Sequence, residues 1–272
     1  MDVVCVGDCG IDLYRPAGEL RVGGITANFA RHARREFARD DRIRIVSCVG
    51  DDEDGDRVLS SFEGSGIDCH VRRLSGRTPV QTIEIRADGE KDFIAYDEGV
   101  LRDFSFSAAD RQLIAAGDLL VAPVYLQIVG LFGDLMGIDT VGRVAVDFAD
   151  FLEYPDFGLL EMHIERIDIA FFGLSPIDTA MIDRIAELAD RHRKMFVVTM
   201  GSGGSVAFEG ANRYACAAAP VDAVVDTTGA GDAYAAGFLS RYCRGEGVQA
   251  SMRHGADVAS SVVGQVGSFP AP

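Results

Sequence analysis

The chain has 272 residues, 48% hydrophobic and 25% charged, so it is long enough for one large or two small packed domains and too apolar to stay disordered. A formal net charge of -16 excludes a nucleic-acid backbone as partner, because there is no basic surplus to displace condensed counterions. No run of about 20 apolar residues predicts a membrane span. The opening Asp2-Val3-Val4-Cys5-Val6 lacks the pattern of a signal peptide, so a cytoplasmic location is expected.

The first apolar run, 3–6, reads as a buried strand and leads into Gly7-Asp8-Cys9-Gly10-Ile11-Asp12. As a lone acidic residue Asp12 is ordinary turn chemistry. Gly23-Gly24-Ile25-Thr26-Ala27-Asn28 precedes and opens a helix expected over 25–38. A second strand, 43–49, runs into Gly50-Asp51-Asp52 and on to Gly55. That stretch resembles a calcium loop only superficially: with Gly55 at loop position six, Gly50 and Ser61 fall where carboxylates are required. It reads instead as the capped start of a helix over 56–63.

Segments 79–85 and 91–96 flank Ala87-Asp88-Gly89-Glu90 and predict a β-hairpin with an Asp-Gly turn. It interrupts an otherwise alternating pattern, as either a lid over a ligand site or a plain edge hairpin. Strands follow at 119–121, 144–148, 167–172 and 196–199, interleaved with helices at 108–116, 126–136 and 177–193. Thr199-Met200-Gly201-Ser202-Gly203-Gly204-Ser205 then precedes a hairpin of 206–209 with 213–216. Apolar strands alternating with amphipathic helices predict an α/β fold, a mostly parallel central sheet covered by helices on both faces. The six cysteines form no C-x-x-C pair and read as reduced, packed thiols.

The segment Asp226-Thr227-Thr228-Gly229-Ala230-Gly231-Asp232-Ala233-Tyr234-Ala235-Ala236-Gly237-Phe238 is a glycine loop entering a helix over 230–243, with a last helix at 248–263. Backbone N–H groups at such a helix start, with the macrodipole, cradle an anion. Asp232 in the first turn either favours the helix N-terminus electrostatically or accepts a proton from an attacking hydroxyl.

The whole segment resembles the C-terminal signature of the PfkB, or ribokinase-like, carbohydrate kinases. The matches at Gly23 to Asn28, Asp12, Gly50 to Gly55 and Thr199 to Gly204 fall in family order along nearly the full chain. The resemblance implies a ribokinase-like three-layer sandwich as a single domain over 1–272, with a small antiparallel β lid from strands within about 12–23 and 77–98. It implies ATP with Mg2+ and a sugar-like acceptor. Asp232 would be the catalytic base and Gly229, Ala230 and Gly231 the anion hole. Asp12, Gly23, Gly24, Asn28 and Tyr96 would contact substrate, and Thr199, Gly201, Gly204, Thr227, Gly229, Gly231 and His254 the nucleotide.

The family's metal-organising Asn-x-x-Glu is here Ser175-Pro176-Ile177-Asp178, which leaves Ser175 and Asp178 as metal candidates. Its Asp-x-Asn-x-Arg strand is here Asp147-Phe148-Ala149-Asp150-Phe151, without the arginine. Within the family the pattern is similar to the fructoselysine 6-kinases. That implies a fructosamine phosphorylated at O6; an ammonium-bearing ligand would suit an acidic lid, where Asp97 and Glu98 are either its contacts or solvated carboxylates at a strand end. The alternatives are a kinase for a plain ketose, sugar acid or nucleoside, or a catalytically silent sensor on the same fold. Pairing lids would allow a homodimer, and neither a nucleic-acid nor a membrane partner is expected.

Overall fold

A computed structural model describes residues 1–87, 89–153 and 155–269. The strands of the main sheet are β1 (Asp2–Val6), β4 (Arg42–Gly50), β5 (Ile67–Leu74), β8 (Leu119–Pro123), β9 (Arg143–Asp150), β10 (Ile169–Gly173), β11 (Met195–Thr199), β12 (Ser205–Glu209) and β13 (Asn212–Cys216). Their order is β13-β12-β11-β10-β9-β8-β1-β4-β5, parallel from β5 to β11 and antiparallel in the two terminal hairpin strands. β2 (Gly10–Arg15), β3 (Glu19–Gly23), β6 (Val80–Ile85) and β7 (Lys91–Asp97) form a second sheet in the order β3-β2-β6-β7.

The helices are α1 (Ile25–Glu36), α2 (Glu53–Ser60), α3 (Ala108–Ala116), α4 (Val129–Met136), α5 (Phe157–His163), α6 (Thr179–His192), α7 (Ala230–Tyr242) and α8 (Val248–Ser260). The continuous apolar runs make buried strands because both faces of the main sheet are covered. Val4, Val6 and Val146 point into one core and Val3, Cys5 and Ala145 into the other. α7 is buried along 232–240, and its small residues let it approach α8 closely: a Cβ on Gly237 would lie 3.0 Å from the Gly255 Cα.

Several elements differ from their sequence expectations. The small sheet was expected to be antiparallel; its pairs β2–β3 and β6–β7 are, but the pair that joins them, β2 and β6, is parallel. Asp88 of the expected Asp-Gly turn lies outside the described residues. α2 begins earlier than position 56 because Asp52 caps it, accepting from the Gly55 N–H at 2.8 Å and the Thr78 N–H at 2.8 Å. The helix expected over 126–136 splits into a 3-10 turn and α4. β5, an edge strand with charged residues and little apolar pattern, and the short α5 carried no clear sequence signal. Cys5, Cys9 and Cys48 are buried free thiols, whereas Cys69 is exposed rather than packed. No helix among the described residues is long and apolar enough to cross a membrane.

Candidate active site

A cleft of about 1280 Å³ runs along the carboxyl edge of the parallel strands, where the loops after β1, β8, β9, β10 and β11 contribute Asp8, Tyr125, Glu153, Ser175 and Gly201. Chain order reverses between β1 and β8, and open α/β sheets place ligands at such a point. β6, β7 and the N-terminus of α7 close over this edge and supply Gln81, Lys91, Tyr96 and Asp232.

Gly229 has φ 80° and sits as the residue before α7. A side chain there would collide with Ser268, whose Oγ lies 2.1 Å from the ideal Cβ position, so only glycine fits. Nothing lies within 4 Å of a Cβ placed on Gly231, which leaves the first turn of α7 open to the cleft. The loop is anchored from behind by Asp226. Its carboxylate accepts from the Thr228 N–H at 2.8 Å, the Gly267 N–H at 2.7 Å and the Tyr14 hydroxyl at 3.0 Å. Ser268 in turn meets His32 Nε2 at 3.0 Å, and Phe269 stacks on the His32 ring.

Asp232 is 7% exposed. Burial pushes its carboxyl well above the usual range and the nearby Asp147 adds to this, while Asn28 and Lys91 act in the opposite direction. Asp147 is itself raised to about 6 and Asp12 to about 7, both mainly by burial. Asp8 accepts from the N–H groups of Ile25 and Thr26 and from the Thr26 hydroxyl, each at 3.1 Å, and so caps α1 from a distant loop. Tyr96 meets Tyr125 hydroxyl to hydroxyl at 3.1 Å. The buried side-chain atoms Asn28 Oδ1 and Thr228 Oγ1 have no hydrogen-bond partner, and both residues line the cleft. Such atoms are costly to leave unpaired unless a ligand satisfies them.

Of the residues singled out in the sequence, Asp12, Gly24, Asn28, Tyr96, Thr199, Gly201, Gly204, Thr227 and Gly229 through Asp232 all line this cleft. Gly23 does not. A Cβ there would fall 2.2 Å from the Asp12 carboxylate, so this glycine makes room for Asp12 rather than exposing its backbone to a ligand. His254 also stays outside: its Nε2 lies 2.8 Å from Glu36 on α1, and Ala256, Ala259 and Val263 line the cleft instead. Asp97 and Glu98 face away, paired with Arg77 and Arg102. Ser175 lines the cleft, but Asp178 does not; its carboxylate accepts from the Ser175 N–H at 2.8 Å.

Asp8, Lys91, Tyr125 and Asp147 were not assigned roles from the sequence. Each is a single residue, and only the sheet order brings them together. The exception is Lys91, one of two lysines in the chain and the first residue after the lid turn, a position that could have drawn attention to it.

The sequence pattern described as "pfkB family carbohydrate kinase" matches residues 1–127 and 170–271. The chain is 29% identical over 266 residues to the fructoselysine 6-kinase of Shigella flexneri, covering 97% of this chain and 98% of that protein. It is 26% identical over 274 residues to a fructosamine kinase of Bacillus subtilis, covering 99% and 93%. The crystal structure of adenosine kinase from Sinorhizobium meliloti superimposes with a TM-score of 0.85 at 23% identity, covering 100% of this chain and 96% of that one.

Proposed function

We propose, from the premise that this chain belongs to the pfkB family of carbohydrate kinases, that it transfers the γ-phosphoryl group of ATP to a primary hydroxyl, with Asp232 as general base. The observation that carries the reading is the buried Asp232 carboxyl at the N-terminus of α7, in one cleft with the open Gly231 turn and the unpartnered Asn28 amide oxygen.

The acceptor lies among Asp12, Asn28, Gln81, Tyr96 and Tyr125, and the nucleotide lies along Thr199, Gly201, Gly204 and the apolar flank of α8. As the acceptor oxygen bonds to phosphorus, its proton passes to the Asp232 carboxylate and the bond to the ADP oxygen breaks. The N–H groups of Ala230 and Gly231, at the positive end of α7, stabilise the charge on the transferred group. Magnesium, carried on the ATP phosphates, supplies charge neutralisation when bound. No trio of His, Cys, Asp or Glu among the described residues could cage it. It fits this cleft as a mostly hydrated ion, with Asp147 and Ser175 as the lining groups that would hold its waters.

For the acceptor we favour O6 of a fructosamine such as fructoselysine. One relative is named as a fructoselysine 6-kinase and another as a fructosamine kinase, and an acidic cleft suits a substrate bearing an ammonium group. The apolar residues Leu20, Phe93 and Ile94 are exposed on the two edge strands of the lid, which suits pairing as a homodimer. The free thiols suit the reducing cytoplasm.

The test is ADP release with magnesium across fructosamines, plain ketoses, sugar acids and nucleosides, run beside Asp232→Asn. Turnover fastest on a fructosamine is expected, with the Asn variant lower by about 10²- to 10⁴-fold. A different preferred acceptor would replace the fructosamine assignment. Near-full activity of the variant would remove Asp232 as the base, and silence on every acceptor would favour a sensor.

A further inference from the structure

Among the described residues seven acidic side chains line the cleft, Asp8, Asp12, Asp147 and Asp232 included, against a single basic one, Lys91. A phosphoryl group in transfer spreads negative charge over its oxygens, and carboxylates in a partly desolvated cleft oppose it unless a cation stands nearby. The strand where the family pattern would place an arginine here reads Asp147-Phe148-Ala149-Asp150-Phe151. The fold therefore has to supply its fixed positive charge from another element.

The lid tip does so. The Thr227 N–H donates to the Gly89 carbonyl at 3.2 Å and the Thr227 hydroxyl to Glu90 at 3.1 Å, so the tip is fastened to the loop that leads into the anion hole. Lys91, the first residue of β7, thereby places its Nζ 3.5 Å from the Thr227 carbonyl and 5.6 Å from the centre of the Phe93 ring. No carboxylate among the described residues forms an ion pair with it. Its charge is thus held beside the anion loop and left uncommitted, close enough to favour the ionised forms of Asp12 and Asp232.

We propose that Lys91 is the lid-borne cation that contacts the transferring phosphoryl group, so that closure of the hairpin completes the charge balance of the site. The inference rests on the kinase reading above. In the step itself Lys91 exchanges no proton: the bond from phosphorus to the ADP oxygen breaks, the bond to the acceptor oxygen forms, and the acceptor proton goes to Asp232. Lys91 only compensates charge as it moves across the phosphoryl oxygens.

The experiment compares wild type, Lys91→Met and Lys91→Arg by calorimetric binding of magnesium ADP and of the magnesium β,γ-imido ATP analogue, and by steady-state turnover. Lys91→Met is expected to bind ADP as wild type does but the imido analogue about tenfold more weakly. Its kcat should fall roughly 10²-fold, with Lys91→Arg recovering most of both losses. Equal weakening of both nucleotides, or weakening of neither, would overturn the proposal. Wild type without turnover on any acceptor would sink the kinase reading, while the difference between the two nucleotides would still decide the role of Lys91. If Lys91→Met fails to fold, Lys91→Gln serves in its place.

Discussion

In the mechanism proposed above the chemistry turns on Asp232, and its surroundings would set the pH at which it works. A base must be ionised to accept a proton, and burial together with Asp147 holds the Asp232 carboxyl well above the ordinary carboxylate range. Activity should therefore rise with pH through that raised value, and the acidic limb of kcat/KM should lie above where an exposed aspartate would put it. Because Lys91 acts in the opposite direction, Lys91→Met should move that limb further toward alkaline pH. A pH–rate profile of both proteins checks this, and an acidic limb at the usual carboxylate position would contradict it. The placement of Asp232 at the start of α7 was legible in the sequence because it sits inside one contiguous segment. Its raised pKa was not, since that depends first on burial and then on Asp147 and Asp8, which other parts of the chain deliver.

Among the elements, the lid hairpin matters most to the site. Its two strands were expected from their alternating pattern and the Gly89 turn, but alternation says nothing about where a hairpin lands. The contacts of Gly89, Glu90 and Lys91 with Thr227 provide that information. Thr227 consequently serves as the fastening point of the lid as well as a lining residue of the cleft. Thr227→Val removes the hydroxyl that donates to Glu90 and should loosen the tip. Hydrogen exchange of the amides at 89–91 is expected to quicken, with little change in the core strands. Unchanged exchange at the tip would mean that the backbone bond between Thr227 and Gly89 holds the lid alone. α8 gives the contrary lesson. Its existence was plain from periodicity, but the face that meets the cleft was not: His254 turns toward Glu36, and small residues such as Ala256 and Ala259 meet the cleft.

At the scale of the whole molecule, the site is a concentration of buried carboxyls in an already acidic protein, and this has a consequence for stability. Asp147 and Asp12, raised to about 6 and about 7, bind protons in the folded chain at pH values where the unfolded chain has released them. Their contribution to stability is therefore full below the ordinary carboxylate range and is lost as pH rises through 6 to 7. Asp147→Asn keeps an oxygen to accept from the Ala149 N–H and removes the charge. It should raise the Tm of the ligand-free protein at pH 8 and leave it nearly unchanged at pH 4, by about 2–4 °C for each kcal/mol gained. An equal effect at both pH values, read by thermal denaturation, would show that burial of the ionised carboxylate is not the cost.

The sequence by itself determined the layered α/β architecture and the glycine loop that enters a helix between Asp226 and Phe238. Both are written in local terms: buried strands need continuous apolar runs, and a helix start that can admit an anion needs small residues and free backbone N–H groups. Only the tertiary structure decided what surrounds that segment. Asp8 and Tyr125 meet Asp147 because β1, β8 and β9 are neighbours in the sheet, and Lys91 reaches the same cleft because a separate small sheet folds over it. Strand order and lid closure are set by packing between segments far apart in the chain, so no spacing along the sequence records them.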